Sequence, residues 1–369
     1  MSASPRLLLL GGGHAHVQVL DALARTPLPG LQATLVTPYA RQMYSGMVPG
    51  LLAGHYTAAQ CAIPLPALAA AAGATLHLAR AVALDAAARQ VTLDDGRRLG
   101  YELLSIDTGP EADLASVPGA QEHGLPVRPI EAFLQRLDAV GRGPGRALAV
   151  IGAGAAGVEL AMALAYHQRT AGAGPVRVAL VAGPAPLAGL SPAVQRRAWR
   201  ALAAQGVALL ARSAAAVAAD HVQLDDGTRL PCDAAVLALG AAPPRWLAGS
   251  GLALDARGFV AIGATLQSSS HAEVFAAGDV ATRIDAPHPK SGVYAVRAGP
   301  PLTANLRSAL QGLPLQTYKP QQRTLYLLSC GERRAIASWG GWTAEGAWVW
   351  RWKDRIDRAF IARYTRPTA

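Results

Sequence analysis

Two glycine-rich turns constrain the fold of this chain more than any other feature of its sequence. The segments RLLLLGGGHAHVQVLDAL and ALAVIGAGAAGVELAMAL both place an apolar strand before the glycines and an apolar helical pattern after them. Their first glycines, Gly11 and Gly152, lie 141 positions apart. Glycines at this spacing allow a tight turn, close approach of the backbone to a pyrophosphate and close helix–strand packing. The repeated pattern predicts two strand–turn–helix units, each with a helix N-terminus that can hold phosphates.

The two turns differ at their third small residue. The second turn has complete G-x-G-x-x-G spacing with Gly152, Gly154 and Gly157, whereas His16 stands at the third position of the first turn. A side chain of this size is expected to push the helix and the strand apart. A zinc site formed by His14 and His16 is disfavoured, because residues i and i+2 point to different sides of a helix. We therefore predict no metal site.

The apolar segments and the cysteines indicate a protein of a reducing compartment without a membrane span. The Leu7–Leu10 run is too short for a signal peptide, and glycines follow it directly. The most apolar stretch, residues 147–166, contains Glu159 and the glycines of the second turn, which suits a strand, turn and helix better than a bilayer span. The three cysteines, at positions 61, 232 and 330, have no metal-binding or redox spacing. We expect free thiols and a cytoplasmic location.

The residue that usually selects the nucleotide is missing after both turns. An acidic residue normally follows the next strand and holds the adenosine ribose. Thr37 and Pro38 occupy that place after the first turn, and Ala182 and Gly183 after the second. The sequence therefore leaves the choice between NADH and NADPH open. A group of arginines on a later helix is either a 2′-phosphate contact or, as we favour, a solvated helix face: Arg196, Arg197 and Arg200.

Further segments recur in the same order and extend the duplication. The pieces QVTLDDGRRL and HVQLDDGTRL resemble hairpins, and each precedes a strand that ends in glycine, YELLSIDTG or CDAAVLALG. Thr108, Gly109 and Gly240 close these two strands. A later strand, in HAEVFAAGDVAT, ends in Gly278 and Asp279, where a carboxylate can accept hydrogen bonds from a polyol while the backbone comes close. The pattern predicts an internal repeat of a whole nucleotide-binding architecture.

The ordered set of motifs resembles the two-dinucleotide-binding-domain flavoproteins of the pyridine nucleotide–disulfide oxidoreductase superfamily. The shared order is a first glycine turn, T-G, a complete second turn, A-L-G and then F-A-A-G-D. The resemblance implies that the first turn holds the FAD pyrophosphate, that the second holds NAD(P)H, and that Asp279 binds the FAD ribityl chain. The implied fold is α/β, with two Rossmann-like three-layer nucleotide-binding domains and a small C-terminal α+β piece. The expected limits are 1–112 and 243–312 for a discontinuous FAD-binding domain, 113–242 for the NAD(P)H-binding domain, and 313–369 for C-terminal strands and a basic amphipathic helix.

A narrower resemblance is to a branch related to type II NADH dehydrogenases and sulfide:quinone reductases, whose members are sometimes fused to selenophosphate synthetase. It rests on GGGHAHV, YSGMVPGLLAGHY, PKSGVYAVRAGPPLTANL and WRWKDRIDRAF. It implies that His16 is a feature of the branch and that Tyr44, Ser45 and Gly46 fold over the flavin. The cysteine pair of disulfide reductases and the cysteines of sulfide:quinone reductases have no convincing counterpart, so we expect the flavin to pass electrons directly to an acceptor.

Two residues are candidates for a catalytic role. Lys290 precedes a helical pattern near Val293, where a lysine and a helix N-terminus would stabilise negative charge near flavin N1 and O2; an ordinary helix start is the alternative. Glu159, two residues after Gly157, either relays a proton to a quinone or is a plain charge at a helix N-terminus. The predicted cofactor contacts are Gly11, Gly13, His14, Ala15, Tyr44, Ser45, Gly46, Val82, Thr108, Gly109, Gly152, Gly154, Gly157, Gly240, Gly278, Asp279, Lys290, Gly292 and Val293.

The C-terminal segment carries much of the excess positive charge. The chain has a formal net charge of +10, and no basic stretch before residue 340 resembles a nucleic-acid-binding arm, so we expect no nucleic-acid partner. Residues 348–369 contain six Lys or Arg against two Asp, and five of the seven tryptophans lie within 339–352. On a helix the apolar and basic residues form two opposite faces: Val349, Trp352, Ile356 and Phe360 against Arg351, Arg355 and Arg358.

This helix has two interpretations that the sequence leaves open. Aromatic and basic residues together suit an anionic membrane surface, which would place the protein on the cytoplasmic face of a membrane. The apolar stripe equally suits packing on the FAD domain or on a second copy in a homodimer. If the segment serves the membrane alone, removal of residues 346–369 leaves flavin reduction intact.

The leading functional prediction is an FAD-dependent oxidoreductase. Nicotinamide C4 of NAD(P)H gives hydride to flavin N5, and the protein supplies position and field. The electrons then pass to a small-molecule acceptor, for which we favour a quinone. The alternative is a non-catalytic flavoprotein that senses redox state or docks onto an enzyme of selenium metabolism.

Overall fold

The computed structural model describes residues 5–172 and 174–365. The helices are α1 (His14–Arg25), α2 (Val48–Leu52), α3 (Leu65–Ala71), α4 (Ala120–His123), α5 (Ile130–Val140), α6 (Ala155–Thr170), α7 (Pro192–Gln205), α8 (Gly292–Leu310) and α9 (Ala347–Thr365). The strands of the first third are β1 (Arg6–Leu10), β2 (Gln32–Thr37), β3 (Arg41–Met43), β4 (Ala62–Pro64), β5 (Thr75–Leu78), β6 (Ala81–Asp85), β7 (Gln90–Leu93), β8 (Arg98–Gly100), β9 (Leu103–Ile106) and β10 (Glu111–Ala112). Those of the middle are β11 (Gly124–Pro126), β12 (Leu148–Ile151), β13 (Val178–Val181), β14 (Ala208–Leu210), β15 (Ala214–Val217), β16 (His221–Leu224), β17 (Arg229–Pro231), β18 (Ala234–Leu237) and β19 (Ala241–Ala242). Those of the last third are β20 (Val260–Ile262), β21 (Val274–Ala276), β22 (Ala281–Arg283), β23 (Leu325–Ser329), β24 (Ala335–Trp339) and β25 (Trp342–Gly346).

The first glycine turn belongs to a parallel sheet with strand order β21-β9-β1-β2-β5. Strand β1 is a run of leucines that is buried on both faces, as expected for a parallel sheet covered by helices. Helix α1 packs against α8 and α3. Strand β21 comes from late in the chain and pairs with β9, where Val274 is the partner of Leu104. The sheet is therefore assembled from two distant parts of the sequence.

A second parallel sheet, with order β11-β18-β12-β13-β14, carries the second glycine turn. Its central pairing, Leu148 with Ala234, has the same place as the pairing of Leu7 with Leu103 in the first sheet. Each parallel sheet is accompanied by a three-stranded antiparallel sheet, β6-β7-β8 in one case and β15-β16-β17 in the other. The α/β fold with two Rossmann-like sheets, and the internal repeat, are as predicted. The exact domain limits at residues 112, 242 and 312 stay a prediction.

The C-terminal piece consists of the antiparallel sheet β23-β24-β25 followed by α9. The buried side of α9 differs from the predicted stripe and is formed by Val349, Lys353, Asp357, Ile361 and Tyr364. Of the predicted stripe, only Val349 is fully buried; Phe360 is half-buried, whereas Trp352 and Ile356 are exposed. The inner face of α9 contains the ion pair of Lys353 with Asp357 at 2.6 Å. The prediction failed because a search for hydrophobic periodicity does not place charged residues on the buried side of a helix.

In the described part of the chain, no helix combines the length and the hydrophobicity that a bilayer span requires. The four residues at each end of the sequence lie outside the described residues, so Arg366 of the basic tail has no structural account.

Candidate functional site

The first turn has the geometry of a phosphate cradle. Gly11 has a φ of +91°, and a Cβ added to it would lie 2.4 Å from the carbonyl oxygen of Asp107. A Cβ on Gly13 would lie 2.3 Å from Cγ of the same aspartate. Both positions therefore require glycine. Among the described residues, the amides of Gly13 and His14 at the start of α1 have no acceptor, so they are free to bind an anion.

His16 fits between helix and strand instead of separating them. Its ring is fully buried, with Nδ1 2.6 Å from the Gly11 carbonyl oxygen and Nε2 2.8 Å from Oγ of Ser105 on β9. Burial lowers the pKa of His16 to about 4, so the ring is neutral. Because the carbonyl only accepts, Nδ1 carries the hydrogen and Nε2 accepts from Ser105. The small Ser105 makes room for the ring, and the expected separation does not occur.

The second turn uses glycine where the first uses histidine. Gly152 has a φ of +102°, and its Cβ would lie 2.4 Å from the carbonyl oxygen of Ala238. A Cβ on Gly157 would lie only 1.8 Å from the Gly152 carbonyl oxygen, the counterpart of the oxygen that His16 contacts. Gly154, at the start of α6, has open space around its Cα. This turn therefore has the tight backbone that a dinucleotide-binding helix start requires.

A cavity of about 880 Å³ opens beside the first turn. Its size is within the range of cofactor sites. The structure brings together in its wall eight of the residues predicted to bind the cofactor: Gly11, Gly13, His14, Ser45, Thr108, Gly109, Asp279 and Gly292.

Arg128 is a cavity residue that the sequence did not reveal. It lies after β11, and its guanidinium is 3.4 Å from the Asp279 carboxylate. Burial raises the pKa of Asp279, and the nearby cations Arg128 and Lys290 oppose that shift. Arg128 follows a strand of the second parallel sheet, whereas Asp279 follows a strand of the first. This pairing therefore becomes visible only in the folded structure.

His14 lies where the cavity meets the C-terminal helix. Its Nε2 is buried and has no hydrogen-bond partner among the described residues. Its ring lies 5.5 Å from that of Tyr44 and 6.1 Å from that of Phe360 on α9. Burial and the Arg128 charge lower the pKa of His14 to about 4. The rings of His14 and His16 thus face different neighbours.

Several predicted contacts lie beside the cavity rather than in its wall. Val82 and Val293 are exposed, while Ala81 and Ala295 line the cavity instead. An offset of one or two residues along a strand or helix changes the direction of the side chain, so these two valine side chains point away from the cavity wall, and their contact with a cofactor stays a prediction. The other residues outside the wall of this cavity are Ala15, Tyr44, Gly46, Gly152, Gly154, Gly157, Gly240, Gly278 and Lys290.

Lys290 does not take the predicted position. Its Nζ donates to the carbonyl oxygen of Ala281 at 2.9 Å and to Thr282 Oγ1 at 3.1 Å, and it lies 3.6 Å from the centre of the Phe259 ring. Burial lowers the pKa of Lys290 to about 8, while the Asp279 charge raises it. The ammonium group is therefore engaged by the protein itself outside the cavity wall, and its charge acts on Asp279, which lines the cavity.

Glu159 is a half-buried member of a polar cluster between α6, α9 and the Tyr44–Gly46 loop. Its Oε1 accepts from the amide of Ser329 at 2.8 Å, and burial raises its pKa to about 7. The nearby Lys353 opposes that shift and donates to the carbonyl oxygen of Gly46 at 2.6 Å. Asp357 accepts from both Lys353 and Tyr44. A carboxyl that titrates near neutrality is thus connected to the loop beside the cavity.

Two of the three arginines of α7 contact a carboxylate of the C-terminal piece. Arg197 lies 3.0 Å and Arg200 3.9 Å from the carboxylate of Glu345 on β25. Arg334 contacts the same carboxylate at 3.4 Å. The favoured solvated face is thus corrected in part, because these two arginines join the second sheet to the C-terminal piece.

The residues present fit FAD. The glycine cradle of the first turn leaves space and free amides for a diphosphate, and Asp279 supplies a polyol acceptor inside the same cavity. The buried Nε2 of His14 has no partner among the described residues and is available to a ligand in the cavity.

Comparison with known proteins agrees with this geometry. The family model for pyridine nucleotide-disulphide oxidoreductase matches residues 5–299. A probable ferredoxin reductase from Castellaniella defragrans is 29% identical over 292 residues, which cover 77% of this chain and 69% of the relative. The sulfide:quinone oxidoreductase of Aquifex aeolicus superposes with a TM-score of 0.78 at 20% identity, covering 98% of this chain and 91% of that chain. The NDH2 of Plasmodium falciparum superposes with a TM-score of 0.79 at 12% identity, covering 98% and 97%. At such identities the two superpositions show the fold. The chain belongs to the pyridine nucleotide-disulphide oxidoreductase family, as an FAD-dependent oxidoreductase with NAD(P)H as its substrate.

Proposed function

We propose that this flavoprotein passes electrons from NAD(P)H to a quinone dissolved in a membrane, and that it attaches to an anionic membrane surface. The observation that carries the proposal is an exposed aromatic patch at the C-terminal piece. We define the aromatic patch by its five members: Trp339, Trp342, Trp348, Trp352 and Ile356.

The aromatic patch is continuous across two elements. Trp339 and Trp342 are directly paired at the end of the β24–β25 hairpin and therefore share a face. The rings of Trp342 and Trp348 lie 6.3 Å apart. Trp348, Trp352 and Ile356 follow at intervals of four residues along one side of α9. Exposed fractions between 37% for Trp352 and 56% for Trp339 leave a large apolar surface in water, which is typical of an interaction site.

Basic residues border the aromatic patch. Arg351 and Arg355 on α9 are exposed and form no ion pair with any described residue. Tryptophan is favoured at the headgroup level of a bilayer, and each arginine near an anionic surface contributes about 1 kcal/mol. These two terms together support reversible attachment to a membrane.

The face of α9 next to the aromatic patch contacts the loop beside the cavity. Lys353 binds the carbonyl oxygen of Gly46, and Phe360 stacks on Tyr44 with ring centres 4.6 Å apart. An α-helix with its side chains is about 10–12 Å thick. Only one helix thus separates the aromatic patch from the loop beside the cavity, so an acceptor dissolved in the membrane has a short path to the flavin.

The residues of the chain would bind FAD and NAD(P)H, position them and donate a proton to the quinone. The amides of the first turn and Asp279 would hold FAD, which supplies the hydride and electron transfer chemistry. The second turn would hold NAD(P)H at the start of α6. Glu159, on the same helix, has a pKa raised to about 7, so part of it carries a proton at neutral pH that it can give to a quinone oxygen. The catalytic role of Glu159 is part of this proposal.

Two other functions compete with this one. The similarity to ferredoxin reductases favours a ferredoxin as acceptor, and an acidic ferredoxin would also suit exposed arginines. A flavoprotein that senses redox state, or docks onto an enzyme of selenium metabolism, would be reduced by NAD(P)H without onward transfer. The aromatic patch favours a lipid surface over a soluble protein, because tryptophans at this density suit the interface of a bilayer.

An anaerobic experiment separates the three functions. The enzyme is reduced with NADH or NADPH and then mixed with a quinone in anionic liposomes, with a ferredoxin, or with neither, while the flavin band is followed. The proposal expects fast reoxidation by the liposomal quinone. A Trp348→Ser/Trp352→Ser variant is expected to lose liposome binding and this fast phase, but to keep reduction by NAD(P)H. The control variant Ile284→Ser, at an exposed apolar side chain outside the patch, is expected to behave like the wild type. Reoxidation by ferredoxin alone, or by no acceptor, would refute the quinone assignment.

A further inference from the structure

Asp107 occupies the N-terminus of the helix that follows the first turn. This residue comes directly after β9 and is 3% exposed. Its Oδ2 accepts hydrogen bonds from the amides of Ala15 at 2.8 Å and His16 at 3.0 Å. These amides belong to the first turn of α1, where a helix offers unpaired donors and a positive dipole end. The carboxyl group therefore uses two of the donors that would otherwise face an anion.

The surrounding backbone leaves room for this carboxyl and for little else. A Cβ on Gly13 would lie 2.3 Å from its Cγ, and a Cβ on Gly278 would lie 2.7 Å from its Oδ1. Gly13 belongs to the first turn, and Gly278 precedes Asp279 in the second motif of the same cavity. The Asp107 carboxyl thus lies at the point where the two cofactor motifs meet, and it forms part of the cavity wall.

The internal repeat supplies a comparison within the same chain. Ala238 follows β18 as Asp107 follows β9, and their carbonyl oxygens lie at the same 2.4 Å from the Cβ positions of Gly152 and Gly11. The second turn therefore has a methyl group where the first has a carboxyl. A dinucleotide-binding turn of this fold does not need an acid at this place, and the acid of the first turn requires its own explanation.

An ionised Asp107 would oppose a diphosphate. The Asp107 carboxylate and the diphosphate would both place negative charge at the same helix N-terminus. Asp279 adds a further carboxylate to the cavity. Arg128 is the cation of the cavity wall paired with Asp279, whereas no cation forms an ion pair with Asp107 among the described residues. Two like charges in a buried site favour protonation of a carboxyl.

We propose that Asp107 binds the FAD diphosphate as a neutral carboxylic acid, so that FAD binding takes up one proton. One oxygen of the carboxyl keeps accepting from Ala15 and His16, and the other carries the proton taken from solvent. This O–H donates to a phosphate oxygen, which makes a short, charge-assisted hydrogen bond. The inference concerns cofactor binding and does not depend on which acceptor the enzyme uses.

The titration of the surrounding groups leaves Asp107 as the main candidate for this proton. Burial and the Asp279 charge raise the pKa of Asp107 to about 7 in the protein without cofactor, although its two amide hydrogen bonds lower it. From α1, His14 and His16 face the site with pKa values lowered to about 4, so both stay neutral. Lys290, which faces Asp279 and has a pKa lowered to about 8, is the neighbour that titrates in the same range and needs a control.

The sign of the pH effect follows from this arrangement. FAD raises the pKa of Asp107 further, because the diphosphate favours the neutral acid. The affinity for FAD is therefore constant below about pH 7 and falls above it. A linkage of one proton gives a decrease of at most about tenfold per pH unit.

The test is a calorimetric titration of the apoprotein with FAD between pH 6 and pH 9, in phosphate and in Tris, whose different ionisation enthalpies give the number of protons taken up. At pH 8 we expect close to one proton per FAD for the wild type. Asp107→Asn presents the same acceptor and donor as the neutral acid, so we expect it to bind FAD at pH 9 more tightly than the wild type and without proton uptake. Lys290→Gln is expected to retain the uptake.

Two results would overturn the proposal. One is proton uptake by Asp107→Asn equal to that of the wild type, and the other is no uptake by Lys290→Gln. The second measurement keeps Asp107 intact, so it decides the question even where the asparagine variant does not fold.

Discussion

The ring of Phe360 stacks on the ring of Tyr44, with centroids 4.6 Å apart and an angle of 25° between their planes. Phe360 belongs to α9, and Tyr44 begins the loop beside the cavity. Near this stack, Lys353 donates to the carbonyl oxygen of Gly46, and Tyr56 donates to Asp354 at 2.6 Å. One face of the C-terminal helix therefore packs on the protein, which is one of the two roles that the sequence left open, whereas attachment to a membrane through the aromatic patch stays part of the proposal.

Removal of the C-terminal helix should release FAD. A chain that ends at residue 345 loses the Phe360–Tyr44 stack and the support of the Tyr44–Gly46 loop, in contrast to the expectation that flavin reduction survives this deletion. Phe360→Ala should lower the free energy of unfolding by roughly 2 kcal/mol, while Trp352→Ala, at an exposed position, should change it by less than about 0.5 kcal/mol. The flavin-to-protein absorbance ratio after desalting and urea unfolding curves measure these effects. A truncated protein that keeps stoichiometric FAD would contradict the role assigned to α9.

The two glycine turns should respond differently to the same small substitution. Gly13→Ala places a methyl group against the carboxyl of Asp107 and should impair FAD binding, whereas Gly154→Ala meets open space and should fold with FAD bound. FAD content and thermal stability of the two variants provide the comparison. Combining Gly13→Ala with Asp107→Ala should restore part of the loss, because the obstructing carboxyl is removed. Equal damage from both single variants would mean that the methyl contact at Gly13 is not the cause.

Substitution of only one partner of the buried ion pair of α9 should strongly lower the free energy of unfolding. Lys353→Met leaves Asp357 in the protein interior without its cation, and we expect a decrease of about 3 kcal/mol in the free energy of unfolding. The double variant Lys353→Met/Asp357→Leu should be less destabilised than the single one, because no buried charge is left unpaired. Denaturant titrations of the four proteins in the double-mutant cycle give the coupling energy. Additive effects would show that the pair is not coupled.

Quinone reduction should depend on the protonation of Glu159. The pKa of Glu159 is raised to about 7 in the folded protein. The side chain is therefore protonated below neutral pH and loses its proton as the pH rises through 7. The rate of flavin reoxidation by a quinone should therefore be constant below pH 7 and decrease above it. Glu159→Gln should be slower on the order of 100-fold and independent of pH. Ferricyanide, which accepts electrons without a proton, is the control acceptor; equal losses with both acceptors would mean that Glu159 has a structural role.

The sequence alone was sufficient for the fold and for the glycine positions of the first turn, whereas the contact of each predicted site residue with a cofactor stays a prediction. Gly11, Gly13 and Asp279 could be predicted because backbone constraints require particular residue types at fixed spacings. Such spacings can be recognised in the sequence without knowledge of the structure. The repeated order of the strands likewise predicted two similar sheets.

The missed residues depend on contacts between distant segments. Arg128 contacts Asp279 from a different sheet, and no local sequence pattern predicts that ion pair. Asp107 is not distinguished by any local pattern, because its partners are the amides of α1, which are 91 and 92 positions away. Lys353 was not identified as a buried residue, because a lysine on a helix is normally exposed. Its burial depends on Asp357 one turn later and on the carbonyl of a remote loop.

The clustering of the tryptophans also gives this protein optical reporters at two places of interest. Four of the seven belong to the aromatic patch, and Trp246 lines the cavity beside the first turn. Indole emission shifts to shorter wavelength when the ring leaves water, and flavins absorb in the range where indoles emit. The unlabelled protein therefore reports transfer of its aromatic patch into lipid as a blue shift, and reports cofactor binding as quenching of Trp246.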